Sequence, residues 1–151
     1  MTDRIGLTGS TGSLGKIILK NNKKIRFECF KGDIRDRLAV FNWIKKNNFT
    51  IILHLAAIVP IKVVNRNPLK ANQVNFNGTK NIVDACIEKR IKWFFFSSTS
   101  HVYKSSQKKI SESNLKKPIS YYGLTKLRAE NYIIKKFRAA KISYCIGRIF
   151  S

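Results

Sequence analysis

The segment IGLTGSTGSLGKIIL, residues 5–19, sets the expectation for the whole fold. Three of its four glycines, Gly9, Gly12 and Gly15, stand three residues apart between two apolar runs. The spacing fits either a flexible Gly/Ser connector or a loop that holds a phosphate group. Because a connector would not be flanked by segments of core type, the flanks favour the phosphate loop. The segment therefore predicts a strand, a glycine-rich turn and a helix, in that order.

The rest of the chain alternates short apolar runs with helical patterns. The predicted strands span 4–8, 24–30, 49–57, 92–99 and 142–150, and the predicted helices span 13–21, 35–48, 68–89 and 120–137. Such alternation implies βαβ units in an α/β fold, with a doubly wound parallel sheet between two helical layers (three-layer αβα). No segment rich in Pro and Gly divides the chain, so residues 1–151 are expected to form a single domain.

The places where ligands are expected follow from this topology. In a sheet of this kind, ligands bind beyond the carboxyl ends of the strands. The least ordinary parts of the sequence stand at those ends, in the segments 8–15, 32–36, 54–60 and 97–103. The sequence therefore predicts one functional site along this edge of the sheet.

Composition bounds the class of protein. Hydrophobic residues make up 44% of the chain, yet no apolar run approaches the ~20 residues of a membrane helix, and the first residues lack a signal-peptide pattern. Cys29, Cys86 and Cys145 show no CxxC spacing and are expected to be small buried hydrophobes. His54 and His101 have no metal-ligand partner four residues away, so no metal site is expected. We therefore expect a reduced, cytoplasmic compartment and no membrane partner.

The charge of the chain is unusual. Thirty Lys and Arg residues stand against eight Asp and Glu, a formal net charge of +22, which favours anionic partners such as nucleotides, nucleic acid or acidic lipid. The lysines are spread along the chain rather than concentrated in one patch, and abundant Asn and Ile accompany them, as in a compositional bias toward A/T-rich codons. A nucleic-acid binder is therefore the less favoured interpretation.

A second pattern, SYYGLTK, places Tyr122 and Lys126 one helical turn apart on one face. A nearby ammonium stabilises a phenolate, so the pair predicts a lowered pKa for Tyr122 and acid/base work. The spacing alone is weak evidence, because Tyr132 and Lys136 repeat it, and that second pair is expected to be an ordinary surface pairing. The first pair follows the strand end SST, where the hydroxyl of Thr99 can hydrogen-bond a substrate oxygen. Simple turn formation stays open for the neighbouring serines.

Six segments in one order, TGSTGSLG, GDIRD, HLAA, VNFNGT, SST and YGLTK, resemble the extended short-chain dehydrogenase/reductases. These are NAD(P)-dependent nucleotide-sugar epimerases, dehydratases and reductases with a Rossmann-type sheet. The resemblance covers residues 4 to about 150 and depends on the order of all six motifs. It implies NAD or NADP as the cofactor and a nucleotide-sugar as the substrate, and it leaves a homodimer open.

The resemblance also implies which residues contact the cofactor. The three glycines of the turn would hold the pyrophosphate, Asp33 and Ile34 would bracket the adenine, and Leu55–Ala57 would line the cofactor. Asn75 would lie on the cofactor side of the central helix, although a plain polar residue inside a helix is its other interpretation. The full set of expected cofactor contacts is Gly9, Thr11, Gly12, Ser13, Leu14, Gly15, Asp33, Ile34, Leu55, Ala56, Ala57, Asn75, Ser97, Tyr122 and Lys126.

The catalytic roles follow from the same resemblance. Tyr122 would be the acid/base, Thr99 would polarise the sugar hydroxyl or carbonyl, and Lys126 would bind the nicotinamide ribose and tune Tyr122. Hydride would pass between the nicotinamide and a sugar carbon. Dehydratases of the family carry an acidic residue, and often a lysine, just after that Thr, where this chain has Ser100. The expected activity is therefore that of an epimerase or a 4-keto-sugar reductase, and His101 is assigned no role.

The chain departs from the family pattern in two places. The interval between Gly15 and Asp33 is short, so one strand–helix unit is expected to be missing or merged. The lost strand normally ends with the residue that reads the adenosine ribose, an acid for NAD or a base for NADP. No acid stands clearly there and Lys31 offers a positive charge, so the cofactor choice stays open.

The second departure concerns the substrate. Family members continue past the segment GRIFS for roughly another hundred residues, which form the cap over the nucleotide-sugar. A fold without that C-terminal cap is expected. A non-catalytic NAD(P)-binding or regulatory protein is therefore kept as the alternative function.

Overall fold

A computed structural model describes residues 3–59 and 61–150. Pro60, the last residue of one predicted site segment, lies outside the described residues, as do residues 1, 2 and 151 of the predicted domain. Within the described ranges, no helix is both long enough and apolar enough to cross a membrane.

Five parallel strands form one sheet in the order β2-β1-β3-β4-β5. The strands are β1 (Ile5–Thr8), β2 (Phe27–Cys29), β3 (Ile51–His54), β4 (Trp93–Thr99) and β5 (Ser143–Ile149). All five predicted strands are confirmed, and β2 and β3 are shorter than their apolar runs. The order reverses at β1, and the carboxyl end of β1 is therefore the switch point where ligands bind in such sheets.

Helices occupy the connections between the strands. They are α1 (Ser13–Asn21), α2 (Arg37–Asn47), α3 (Ile61–Arg66), α4 (Pro68–Asn72), a π-helical segment (Gln73–Gly78), α5 (Thr79–Glu88), a 3₁₀ turn (Ser100–Val102) and α6 (Tyr121–Ala140). The predicted helix over 68–89 is thus one helical stretch with a π-helical segment in its middle, between α4 and α5. The sequence did not predict α3, because six residues are too few for a helical period to show.

The core lies between the sheet and the helices α2, α5 and α6, which pack side by side. The strands contribute Ile52, Phe94 and Phe96, all without solvent exposure, to this layer. The right-handed crossover rule places α1 on the opposite face, because its connection runs the other way along the sheet. The predicted helices on both faces are therefore confirmed.

The shortened connection after α1 is visible in the sheet. Strand β2 follows α1 directly and pairs with β1, with Leu7 level with Cys29, and it forms the edge of the sheet. This agrees with the expected loss of one strand–helix unit.

The expectation that all three cysteines are buried is wrong. Cys86 on α5 is buried, whereas Cys29 is partly exposed and Cys145 is exposed. Both strands that carry the accessible thiols, β2 and β5, lie at edges of the sheet, where fewer neighbours cover a side chain.

Candidate active site at the carboxyl edge of the sheet

The glycine turn after β1 is closely packed at two of its three glycines. Gly9 has a φ of +77°, and a Cβ there would lie 2.6 Å from the backbone nitrogen of Ala56. A Cβ on the buried Gly15 would overlap the carbonyl oxygen of Gly9. At Gly12 a Cβ would meet only that same oxygen, at 3.4 Å. Gly9 and Gly15 are therefore required by the fold, whereas Gly12 leaves open space.

That open space faces the start of α1. Gly12 is the N-cap residue, and among the described residues no side chain caps the helix and no acid stands in its first turn. Thr11 and Ser13 are exposed and Leu14 is partly buried. Free amide groups and the positive end of a helix dipole suit an anion, so this turn fits a phosphate.

The loop after β2 is held against the π-helical segment and α5. Ile34 is buried, and a Cβ on Gly78 would lie 2.6 Å from its side chain. Asn81 Nδ2 donates hydrogen bonds to the carbonyl oxygens of Ile34 and Arg35. The Asp33 carboxylate accepts from the backbone and guanidinium of Arg35, which lowers the pKa of Asp33. Asp33 is therefore already occupied by a neighbouring cation.

The buried His54, at the end of β3, connects the end of β1 to the start of α5. Thr79 Oγ1 donates to the Asn75 carbonyl at 2.7 Å, so it can only accept from His54 Nε2 at 2.9 Å. The proton therefore resides on Nε2, and His54 Nδ1 accepts from Thr8 Oγ1 at 2.6 Å. Thr8 Oγ1 in turn accepts from the amide of Ala56 at 3.3 Å. The chain of bonds orients the segment Leu55–Ala57, whose three residues are partly buried.

Acidification is expected to destabilise the protein through His54. Burial, with the nearby Lys126, lowers the pKa of His54 to about 3 from an ordinary value of 6.5. Between these two pKa values, His54 is protonated in the unfolded chain and neutral in the folded chain. The free energy of unfolding therefore falls as the pH drops below 6.5, by up to about 1.4 kcal/mol per pH unit. Urea denaturation between pH 6.5 and 4.5 measures this slope. A His54→Gln variant with the same slope in that window would contradict the assignment.

Asn75 lies in the π-helical segment and is fully buried. Its Oδ1 accepts from the amide of Ile58 at 2.7 Å, and its Nδ2 donates to the Ile58 carbonyl at 3.0 Å and to Thr125 Oγ1 at 3.2 Å. Thr125 Oγ1 donates to the carbonyl of Tyr122. Asn75 therefore joins the segment after β3 to the first turn of α6, and its amide is satisfied by protein groups.

Tyr122, at the start of α6, lies near Thr99, at the end of β4. Tyr122 is 6% exposed, and burial raises the pKa of its phenol, an effect that the neighbouring Thr99 side chain opposes. The predicted lowering of this pKa by Lys126 is wrong for this structure. Ser97, before Thr99 on β4, is partly buried, and the ring of His101 meets Tyr122 edge-on with centroids 6.0 Å apart.

Lys126 is the most unusual charge of the site. Its residue is 2% exposed, and Nζ lies 4.1 Å from the centre of the Phe96 ring. Within residues 3–59 and 61–150 the ammonium makes no hydrogen bond to protein. Burial lowers the pKa of Lys126 to about 7, an effect that Glu130 opposes. The pKa of Tyr122 is shifted by its own burial and by Thr99, and not by Lys126.

The repeated spacing at Tyr132 and Lys136 behaves as a surface pair. The Tyr132 hydroxyl donates to Asp84 Oδ1 at 2.7 Å, and Lys136 Nζ lies 5.5 Å from the ring centre. The pKa of Tyr132 is raised to about 12 by desolvation and by Asp84. This pair is remote from the strand end that carries Thr99, as expected.

Sequence reasoning missed a buried ion pair behind the site. Glu130 is fully buried and accepts from Arg148 Nε at 3.0 Å and Nη2 at 2.8 Å, as well as from Ser98 Oγ at 2.5 Å. Arg148 Nη1 donates to the Tyr103 hydroxyl at 2.7 Å. The signal in the sequence was Glu130 one turn beyond Lys126 on an inward helical face. Its partner lies 18 residues away, and no local spacing indicates it.

Known proteins resemble this chain over almost all of its length. The family model described as GDP-mannose 4,6 dehydratase matches residues 2–151. A dTDP-D-glucose 4,6-dehydratase of Dictyostelium discoideum is 23% identical over 158 residues, which cover 97% of this chain and 36% of the relative.

Two solved structures show the same arrangement of elements. The UDP-Glc/GlcNAc 4-epimerase from Campylobacter jejuni matches with a TM-score of 0.91 and 26% identity, over 99% of this chain and 54% of that chain. A dTDP-4-dehydrorhamnose reductase from Bacillus anthracis in complex with NADP matches with a TM-score of 0.87 and 24% identity, over 98% of this chain and 53% of that chain. The chain thus spans between 36% and 54% of the length of these proteins.

Proposed function

The chain belongs to the GDP-mannose 4,6 dehydratase family of extended short-chain dehydrogenase/reductases, and from that premise we propose that residues 1–151 form one NAD(P)-binding unit of a nucleotide-sugar oxidoreductase. One observation carries the proposal. The side chain of Lys126, 2% exposed and without a hydrogen bond among residues 3–59 and 61–150, stands at the same sheet edge as Tyr122, Thr99 and the glycine turn. An amine in such desolvated surroundings is stabilised by a polar partner, which supports a ligand that completes them.

The residues present fit a dinucleotide. The open space at Gly12, before the amides of α1, suits the pyrophosphate, and the partly buried segment Leu55–Ala57 follows beside it. Lys126 would donate to the hydroxyls of the nicotinamide ribose, which would satisfy its ammonium. A nicotinamide cofactor, when bound, accepts hydride from a carbinol carbon or supplies it to a carbonyl carbon.

Proton transfer would be the work of Tyr122. The raised pKa of Tyr122 keeps the phenol protonated at neutral pH, so it is ready to give a proton to a carbonyl oxygen as that oxygen becomes a hydroxyl. Thr99, which lies close enough to Tyr122 to affect the pKa of its phenol, would hold the same oxygen in place. In the reverse direction Tyr122 would accept the proton again from the sugar hydroxyl.

The substrate is proposed to be a nucleotide-sugar, by analogy with the dTDP-D-glucose 4,6-dehydratase and the UDP-Glc/GlcNAc 4-epimerase that the chain resembles. The segment 99–103, TSHVY, contains no carboxylate. An elimination of water needs an acid and a base beside the reacting carbons. The segment therefore supports an epimerase or 4-keto-sugar reductase over a dehydratase.

The two Tyr-x-x-x-Lys pairs allow a matched test of this function. Lys126→Met is expected to weaken NAD(P)H binding at least about tenfold, because it removes charge-assisted hydrogen bonds, whereas Lys136→Met leaves binding unchanged. Tyr122→Phe is expected to slow reduction of the nicotinamide by UDP-, dTDP- or GDP-hexoses about 10²–10⁴-fold, and Tyr132→Phe is not. Fluorescence titration and nicotinamide absorbance report the two effects.

Four results would count against the proposal. If neither NADH nor NADPH binds, the cofactor assignment fails. If Lys126→Met and Lys136→Met weaken binding equally, the cofactor site has been misplaced. If turnover survives Tyr122→Phe, Tyr122 is not the acid/base, and a hexose that never reduces the cofactor favours the alternative of a non-catalytic NAD(P)-binding protein.

A further inference from the structure

We propose that Glu130 is a positioning residue of the candidate site, whose buried carboxylate keeps the ammonium of Lys126 charged and leaves its hydrogen bonds to a ligand. The inference rests on the dinucleotide binding proposed above. It gives a role to the ion pair between Glu130 and Arg148, which the proposed transfers of hydride and proton do not use.

Glu130 and Lys126 belong to one buried stripe of α6. Tyr122, Lys126 and Glu130 are four residues apart, so they follow one another along one face of the helix. Their exposed fractions are 6%, 2% and 0%, which makes Glu130 the most deeply buried of the three. A lysine and a glutamate at this spacing are neighbours on a helix, and their burial leaves little water to screen the attraction between their charges.

Two other side chains hold the Glu130 carboxylate. Its Oε1 accepts from Ser98 Oγ at 2.5 Å and from Arg148 Nε at 3.0 Å, and its Oε2 accepts from Arg148 Nη2 at 2.8 Å. Ser98 and Arg148 are level with each other on β4 and β5, so the carboxylate is fixed between two strands and the helix. Within the described ranges, no ion pair joins Glu130 to Lys126.

This arrangement separates the charge of Lys126 from its hydrogen bonds. Burial lowers the pKa of Lys126 to about 7, and Glu130 opposes that effect. The Nζ atom lies 4.1 Å from the centre of the Phe96 ring, on β4 two residues before Ser98. The N–H donors of the ammonium are thus available for the hydroxyls of a ligand, while a carboxylate that does not bond to them supports the charge.

The other groups around the ammonium do not supply a negative charge. His54 on β3 stays neutral above its pKa of about 3, and the raised pKa of Tyr122 keeps its phenol neutral. Arg148 on β5 is paired with Glu130, and His101, in the 3₁₀ turn, packs against Tyr122. The buried residues of α3, α4, the π-helical segment and α5 are uncharged at neutral pH. In the described part of the chain, Glu130 is therefore the group that supports this charge.

Lysine ¹³Cε resonances, followed between pH 5 and 9, test the effect on the charge without any ligand. The resonance that Lys126→Met removes identifies Lys126, and we expect its titration midpoint near pH 7. Glu130→Gln combined with Arg148→Met removes both charges of the ion pair and should lower the midpoint by about one pH unit or more. Glu130→Gln alone should lower it at least as far, and it serves as the test if the double variant does not fold.

Two controls separate charge from packing. Ser98→Ala removes a hydrogen bond of the carboxylate but not its charge, so the midpoint should not fall. Glu88→Gln combined with Arg138→Met makes the same changes of residue type at exposed positions and should also keep the midpoint.

The same variants give a pH profile for cofactor binding. At pH 7 the amine of Lys126 is about half charged in the unchanged protein, and a midpoint one pH unit lower leaves about a tenth of it charged. The double variant should therefore bind NADH about fivefold more weakly at this pH. At pH 5.5 most of the amine is charged in both proteins, and the difference should almost vanish. A loss of packing would weaken binding by the same factor at both pH values.

An unchanged midpoint in both variants at Glu130 overturns the inference, and so does an equal fall of the midpoint in Ser98→Ala. A binding loss of equal size at pH 7 and pH 5.5 also overturns it, because that result indicates packing alone. If NADH does not bind to the unchanged protein, the proposed function fails, and the ¹³C midpoints still decide whether Glu130 supports the charge of Lys126.

Discussion

Replacement of Arg148 by methionine is expected to lower the free energy of unfolding by about 3–5 kcal/mol. Glu130 is fully buried, and Arg148 supplies three of its hydrogen-bond contacts. Without the guanidinium, a carboxylate would stay buried with only Ser98 as its donor in the network described. Urea denaturation followed by circular dichroism at neutral pH measures the loss.

A double variant separates the charge effect from packing. Glu130→Gln combined with Arg148→Met removes both charges and is expected to be more stable than Arg148→Met alone, because no unpaired charge stays buried. Arg138→Met, on the exposed last turn of α6, should change stability by less than about 0.5 kcal/mol. Simple additivity of the two single changes at Glu130 and Arg148 would contradict a coupled pair.

Alanine at Gly15 is expected to cost about 3 kcal/mol or more, whereas alanine at Gly12 is expected to cost less than about 0.5 kcal/mol. At Gly15 the new Cβ meets the backbone of Gly9 and Ser10, which cannot move without opening the turn. At Gly12 the new Cβ meets only the Gly9 carbonyl at 3.4 Å, an ordinary contact. Thermal denaturation of the two variants measures the difference.

The same two variants, at Gly15 and Gly12, distinguish an effect on folding stability from an effect on cofactor binding. Gly12→Ala puts a methyl group into the space assigned to the pyrophosphate, so NAD(P)H binding should weaken while the melting temperature stays unchanged. A Gly12→Ala protein that binds as before would show that the phosphate lies elsewhere. Equal destabilisation by both variants would show that the turn is packed differently.

Most of the fold could be predicted from the sequence because its signals are local. The strand, glycine turn and helix of residues 5–19 form as expected, as do the buried strand ending in SST and the helix that carries Tyr122 and Lys126. The helix α3 was not predicted, because it is too short for a helical period to be visible in the sequence. The exposure of Cys145 was not predicted, because it depends on the position of β5 at an edge of the sheet. No single segment of the sequence indicates the strand order.

The candidate site was predictable only in part. The sequence assigned Thr99 and Tyr122 to one expected site, and Thr99 lies close enough to Tyr122 to affect the pKa of its phenol. It did not indicate that the side-chain amide of Asn75 would hydrogen-bond to Ile58 and Thr125, which lie 17 and 50 positions away. Nor did it pair Glu130 with Arg148. Contacts of this kind depend on which elements become neighbours in space.

The sequence by itself determined the α/β architecture, the position of the glycine turn and the spacing of Tyr122 and Lys126, because periodicity and turn chemistry act over a few residues. Only the tertiary structure decided the ionisation of the site. The pKa of Lys126 falls to about 7 and that of His54 to about 3, and the pKa of Tyr122 rises. The physical reason is desolvation: the stability of a charge depends on how much water the packed elements leave around it, and no residue carries that information alone.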